Sequence, residues 1–91
     1  MAKKEYLTDG EGFVDIELSR PLMVHGASVS KLRMREPTVQ DQLVIDSVSG
    51  GSATQELTLM ANLCEMAKDD LMKLPLRDYK RVQTAFLGFI D

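Results

Sequence analysis

The hydrophobic pattern of the sequence changes period at Pro37, and this change constrains the fold more than any other feature. From Lys31 to Arg35, basic and apolar residues alternate, which is the period of a β-strand. After Pro37 the apolar residues recur at a spacing closer to that of an α-helix: Val39, Leu43, Val44 and Val48. We therefore predict that a strand ends and a helix begins within a few residues of Pro37.

The residues around Pro37 give this boundary a physical cause. Proline disfavours the α region at Glu36 and cannot donate a ladder hydrogen bond, so the strand should stop here. Thr38 is predicted to cap the helix by accepting a hydrogen bond from the amide of Asp41. The Asp41 carboxylate suits the positive first turn, and the pair resembles a capping box with Asp in place of Glu or Gln.

A second alternating segment, Phe13 to Leu18, predicts a half-buried strand upstream of the first. Arg20-Pro21 interrupts its ladder, so we expect this strand to be an edge strand or to bend there. His25-Gly26 is the predicted turn into the following strand. Antiparallel pairing of the two strands would bring acidic and basic side chains together on the solvent face. These side chains are Asp15 and Glu17 on one strand and Lys31, Arg33 and Arg35 on the other.

The rest of the chain predicts helices. The first spans about 39–48, the second about 53–67 with a capping box of Ser52 and Gln55, and the last follows Pro75 at its first position. Residues 69–74 are predicted as a short helical turn or a loop. The expected fold is α+β, with an N-terminal antiparallel β-hairpin followed by about three α-helices. We assign 13–91 to a single small domain and 1–12 to a flexible N-terminal tail.

Composition argues against catalysis and against a cofactor. The chain has one His and one Cys, so it offers neither a multi-His metal site nor a zinc cluster. Gly50-Gly51 lacks the spacing and the Lys of a phosphate-binding loop, and Asp69-Asp70 lacks the alternating ligands of a metal loop. His25 is expected to be a solvated turn residue and Cys64 a small buried hydrophobic residue. We predict a protein that is not an enzyme and binds no cofactor.

Charge and hydropathy favour a cytosolic protein. The net charge is −3, which provides no general attraction to nucleic acid or anionic lipid. No apolar run approaches the roughly 20 residues that span a bilayer, and no secretory signal follows the charged N-terminus.

The second predicted helix has an unusually wide apolar arc, which indicates either a central core helix or a helix partly buried by another chain. Its methionines suit adaptable contacts. Together with the apolar face of the last helix, this arc is the candidate interaction surface. The candidate residues are Leu57, Leu59, Met60, Leu63, Met66, Phe86 and Phe89.

The strand-to-helix junction also carries a resemblance to a known family. Leu32-x-x-Arg35-Glu36-Pro37-Thr38, followed by Asp41, resembles the phage tail assembly chaperones of the tail protein E and Mu-like group. The likeness extends upstream through Ile16 to Pro21 and, more weakly, downstream to Asp78-Tyr79. The residues that match the family motif are Pro21, Arg35, Glu36, Pro37, Thr38 and Asp41.

The resemblance implies a phage or prophage protein that acts in the host bacterial cytoplasm during tail morphogenesis and is absent from the mature virion. Its expected partner is the tape measure protein, a long helix-rich polypeptide that such chaperones keep soluble for tail tube assembly. Self-association is a further expectation, and many relatives also have a frameshift-extended form.

Two other classes of function remain open from the residues. The first is a small DNA-binding or regulatory phage protein that uses a helix-turn-helix-like element. The 53–67 segment carries no basic residue, which argues against that reading. The second is an antitoxin-like module that binds one protein.

Overall fold

The computed structural model describes residues 4–91. Its elements, in chain order, are β1 (Leu7–Gly10), β2 (Phe13–Val24), β3 (Ala27–Arg35), α1 (Val39–Asp46), α2 (Ser52–Leu63), α3 (Lys68–Leu71) and α4 (Leu76–Ile90). Strands come first and helices follow. The predicted α+β class, a single small domain with an antiparallel sheet ahead of its helices, is confirmed.

The sheet is antiparallel throughout, in the order β1-β2-β3. Asp15 lies opposite Arg33, and Glu17 lies opposite Lys31, as the charge pattern predicted. The Arg33 guanidinium donates two hydrogen bonds to the Asp15 carboxylate, at 2.9 and 3.2 Å, and also covers the ring of Phe13. The solvent face of the sheet is therefore held by cross-strand contacts.

β1 is the strand that the sequence analysis missed. Leu7–Gly10 falls in the segment that we assigned to a tail, yet it pairs with the first part of β2 and makes the expected hairpin a three-stranded sheet. The ring of Phe13 lies against Gly10 so closely that any Cβ there would collide with it. Pairing within this tight hairpin thus fixes a segment whose own residues carry little strand signal. The first three residues of the predicted tail lie outside the described residues.

The other face of the sheet and the helices enclose the core. Its buried apolar residues are Val14, Ile16, Leu18, Leu22, Leu32, Met34, Ile45, Leu59, Met60, Ala61, Leu63, Leu71, Leu74, Val82 and Ala85. β2 and α2 contribute the largest shares. α2 is therefore the central core helix of this domain.

Two predicted ends of α2 are corrected. The helix begins at Ser52 with Gly51 as its N-cap, so the capping box of Ser52 and Gln55 is wrong. The side-chain amide of Gln55 instead donates a hydrogen bond to the Val48 carbonyl, 3.2 Å away. This bond connects α2 to the preceding loop. The helix also ends earlier than expected, because Glu65 adopts a left-handed conformation with φ of 53°. The amides of Glu65 and Met66 close this end as a Schellman motif.

The segment between α2 and α4 forms one short helical turn, α3, which begins at Lys68, one residue before the predicted 69–74 segment. α4 begins at Leu76, one residue later than predicted. Pro75 is its N-cap residue and not its first helical residue. α4 then runs to Ile90, as the apolar periodicity indicated.

A buried carboxylate fastens α4 to the sheet. β2 is irregular between Glu17 and Leu22, where its register against β3 shifts, and this confirms that the ladder is interrupted near Arg20-Pro21. Asp78, fully buried in the first turn of α4, accepts hydrogen bonds from the Ser19 amide at 2.9 Å and from the Ser19 hydroxyl at 3.0 Å. Arg81 donates to the Glu17 carbonyl at 2.8 Å. The irregular part of β2 and the start of α4 thus provide hydrogen-bond partners for each other's polar groups.

Replacing Asp78 should destabilise the domain strongly. Asp78→Ala leaves two Ser19 donors without their acceptor, so we expect a loss of about 2–4 kcal/mol in the free energy of unfolding, measured by urea denaturation. The control Asp69→Ala removes an exposed carboxylate and should change stability by less than about 0.5 kcal/mol. Equal losses for the two variants would contradict the role of Asp78.

Candidate protein-binding surface

The family-motif residues form the predicted junction between β3 and α1. Thr38 has extended backbone angles and caps α1 by accepting from the Asp41 amide, while the Asp41 carboxylate accepts from the Thr38 amide. This reciprocal pair confirms the predicted capping box. Arg35 adds a two-pronged ion pair, with both distances to the Asp41 carboxylate at 2.8 Å. The end of the strand and the start of the helix are thus joined by one carboxylate.

The electrostatics of this junction follow from that geometry. The Arg35 guanidinium holds the pKa of the Asp41 carboxyl well below its usual value, with the amide and hydroxyl of Thr38 acting in the same direction; desolvation opposes them. Glu36 is exposed, and its amide donates to the Gly12 carbonyl at 3.0 Å. Pro37 is half-buried, and Pro21 is exposed at the β2 bulge. Arg35, Thr38 and Asp41 thus act through side-chain hydrogen bonds, whereas Glu36 makes its hydrogen bond through its main chain.

The predicted interaction residues divide into two groups. Leu59, Met60 and Leu63 are core residues with at most 8% of their surface exposed, so they present no surface to a partner in this structure. That corrects the idea that the apolar arc of α2 is a contact surface. The other members are half-buried at the edge of the core: Leu57, Met66, Phe86 and Phe89.

Phe89 lines an open groove of about 850 Å³ between the end of α4 and the β1–β2 corner. Its apolar lining is Leu7, Phe13, Val14, Ala85, Leu87, Phe89 and Ile90. Gly88 lies on the α4 side of this groove, with no atom within 4 Å of the place a Cβ would occupy. The groove is therefore open enough to admit part of another polypeptide.

Several large apolar residues outside the predicted interaction set are exposed to solvent. On α1 they are Val39, Leu43 and Val44, and on α4 they are Leu76, Leu87 and Ile90; Met23 and Met72 are exposed elsewhere. The helical period after Pro37 included Val39, Leu43 and Val44. It could not show that Ile45 is the one residue of α1 that this small core buries.

The remaining candidate sites have simple structural explanations. His25 is exposed in the β2–β3 turn, and its Nε2 lies 3.8 Å from an Asp70 carboxylate oxygen. Burial raises the pKa of the Cys64 thiol to about 12, so this cysteine is not a reactive thiolate. Residues 4–91 contain no group of His, Cys, Asp and Glu side chains that could hold a metal ion. None of the helices described is long and apolar enough to cross a bilayer.

The α1–α2 pair does not offer the chemistry of a DNA-reading element. α2, which would be the recognition helix, contains no Lys or Arg, and its buried side faces the core. Base edges and phosphates are read mainly by such basic side chains. The available chemistry of this surface is apolar.

These features define a small α+β domain with apolar surface open to another polypeptide. A family model for phage tail assembly chaperone proteins, E, or 41 or 14, matches residues 15–91, and the chain belongs to this family. This confirms the resemblance of the Arg35-Glu36-Pro37-Thr38 motif. A search of curated proteins and a search of solved structures each found no significant match.

The Arg35–Asp41 pair predicts a specific pH dependence. Because the folded pKa of Asp41 is lowered, its contribution to stability is present above about pH 4 and is lost as the pH falls below that value. Arg35→Gln should lower the free energy of unfolding by about 1 kcal/mol at pH 7, an amount that allows for solvent screening. The variant should also lose less stability than the wild type on acidification. Urea denaturation at pH 7 and at about pH 3 measures both effects.

Arg33→Gln is the matched control, because it breaks an ion pair on the exposed face of the sheet. Its Arg33 side chain is 63% exposed, so the loss at pH 7 should be smaller than for Arg35→Gln. Unchanged acid sensitivity in Arg35→Gln would show that the junction does not depend on this pair.

Proposed function

We propose that this chain is a phage or prophage tail assembly chaperone that binds the tape measure protein and keeps it soluble for tail tube assembly. The observation that carries the proposal is the family match over residues 15–91. The binding is non-covalent, takes place in the host cytoplasm, and ends before the virion is complete. No step in this activity requires a bond to be made or broken.

The groove beside α4 is the proposed client site. A long helix-rich client exposes apolar stripes until it is packed, and such stripes bind to apolar grooves on other proteins. The groove is lined mainly by aliphatic and aromatic side chains, among them Leu7, Phe13 and Phe89, and it is open to solvent. Side chains of this kind accept varied apolar partners, which a chaperone for a long polypeptide requires.

The rest of the domain supports this site mechanically. α4 is fastened to β2 through Asp78 and to α2 through Glu56, which accepts hydrogen bonds from Tyr79 at 2.7 Å and Gln83 at 2.8 Å. Because the helix that forms the groove is held rigidly, little conformational entropy is lost when the groove binds the client. Several chaperone molecules bound along one client would add their weak affinities. Of the half-buried candidates, Phe89 lies in the groove, and Met66 lines a second opening of about 520 Å³ beside β3.

Filling the groove should weaken client binding without harming the fold. Gly88→Arg places a long side chain into open space, gains helix propensity over glycine, and puts a positive charge at the helix C-terminus, where it is favourable. We expect affinity for the tape measure protein to fall about tenfold or more and less of that protein to remain soluble on co-expression. Binding is measured by titration, and solubility by centrifugation of the lysate.

Two controls separate blocking from other effects. Gly88→Ala gives the same helical benefit without filling the groove, and Ser49→Arg adds the same charge in a distant exposed loop. Both should behave as the wild type. If the wild-type chain does not bind the tape measure protein, the proposed function is wrong. If folded Gly88→Arg binds as the wild type does, the function stands and the groove is not the site.

A further inference from the structure

α4 carries a second apolar stripe on its outward side, apart from the face that packs on the core. The stripe shares Leu87 and Ile90 with the lining of the groove. Leu76, Leu87 and Ile90 are 70%, 59% and 58% exposed. With Lys80 and Gln83 they recur along the helix at intervals of four, three, four and three residues. This is the spacing of a coiled-coil seam, in which one helix face packs along another helix.

We propose that this stripe joins two copies of the chain, with their α4 helices antiparallel about a two-fold axis at Gln83. The spacing is nearly the same when it is read from either end. Reversal about Gln83 therefore sets Leu76 opposite the partner's Ile90 and Lys80 within one residue of the partner's Leu87. A two-fold contact requires a self-complementary surface, and this stripe provides one. The pairing does not depend on the proposed client.

The charges of α4 select the antiparallel arrangement. Arg77, Lys80 and Arg81 all lie in the first half of the helix, and the second half carries no charge before Asp91. Within residues 4–91, neither Arg77 nor Lys80 has an ion pair, although both are exposed. A parallel pair would place these cations beside their own copies. The antiparallel pair places Arg77 beside the partner's Asp91 and the carbonyl groups of its last helical turn, which carry negative charge.

The two polar positions of the stripe are compatible with this contact. The side-chain amide nitrogen of Gln83 donates one N–H to the Glu56 carboxylate at 2.8 Å. Its second N–H and the amide oxygen are left to bond reciprocally with the partner's Gln83. A single polar layer of this kind fixes register in coiled coils. The aliphatic stem of Lys80 can cover the partner's Leu87 while its ammonium group stays in water.

The length of the contact indicates a reversible dimer. Fifteen residues extend over about 22 Å, which is short for a permanent interface. Sedimentation velocity of the full chain from about 1 μM to about 1 mM should therefore show a shift from monomer to dimer. Leu87→Glu should remain monomeric over this range. Met72→Glu, which alters an exposed apolar residue on α3 outside the stripe, should dimerise as the wild type does.

Charge reversal tests the direction of the pairing. Arg77→Glu and Asp91→Lys should each weaken the dimer about fivefold, and the double variant should restore it. Circular dichroism establishes that each variant is folded. A wild-type chain that stays monomeric throughout, a dimer that survives Leu87→Glu, or a double variant weaker than both single variants would overturn the proposal. Loss of client binding in Gly88→Arg would leave it untouched, because Gly88 lies outside the stripe.

Discussion

The structure depends on the buried carboxylate of Asp78. It lies where α4 meets the irregular part of β2, and it accepts both the amide and the hydroxyl hydrogen of Ser19. A strand that departs from its ladder leaves backbone groups without partners, and a helix start leaves amides without acceptors. At this contact a side chain of the helix accepts the hydrogen bonds that the irregular strand does not make within the sheet. Arg81 completes the arrangement by donating to the Glu17 carbonyl.

Because α4 is held in this way, its other faces are available for binding. One side lines the groove that ends at the β1–β2 corner, and the outward side carries the apolar stripe. The two surfaces share Leu87 and Ile90, so self-association through the stripe would compete with client binding in the groove. Membership of the tail assembly chaperone family is consistent with surfaces that bind another protein.

The sequence was most informative where structure is local. Pro37, Thr38 and Asp41 lie within five residues, and their chemistry alone predicts the end of β3 and the cap of α1. β1 was missed because its stability comes from pairing with β2 and from the contact of Phe13 with Gly10. The end of α2 was missed because Glu65 holds a left-handed position that glycine usually marks.

The binding surface was harder to predict than the fold. Periodicity identified apolar faces on α1, α2 and α4, but it does not rank them for burial. The core contains Leu59, Met60 and Leu63 of α2, whereas Leu43 of α1 and Leu87 of α4 are exposed. The role of Asp78 was equally hidden, since its partner Ser19 is 59 positions away and the residue looks like an ordinary first-turn acid.

The client site proposed at the end of α4 and the β1–β2 corner can be tested by amide hydrogen exchange of the full chain, with and without the tape measure protein. We expect slower exchange on binding in residues 7–14 and 84–90, with little change in α3. A bound client that leaves exchange in those two segments unchanged would contradict it.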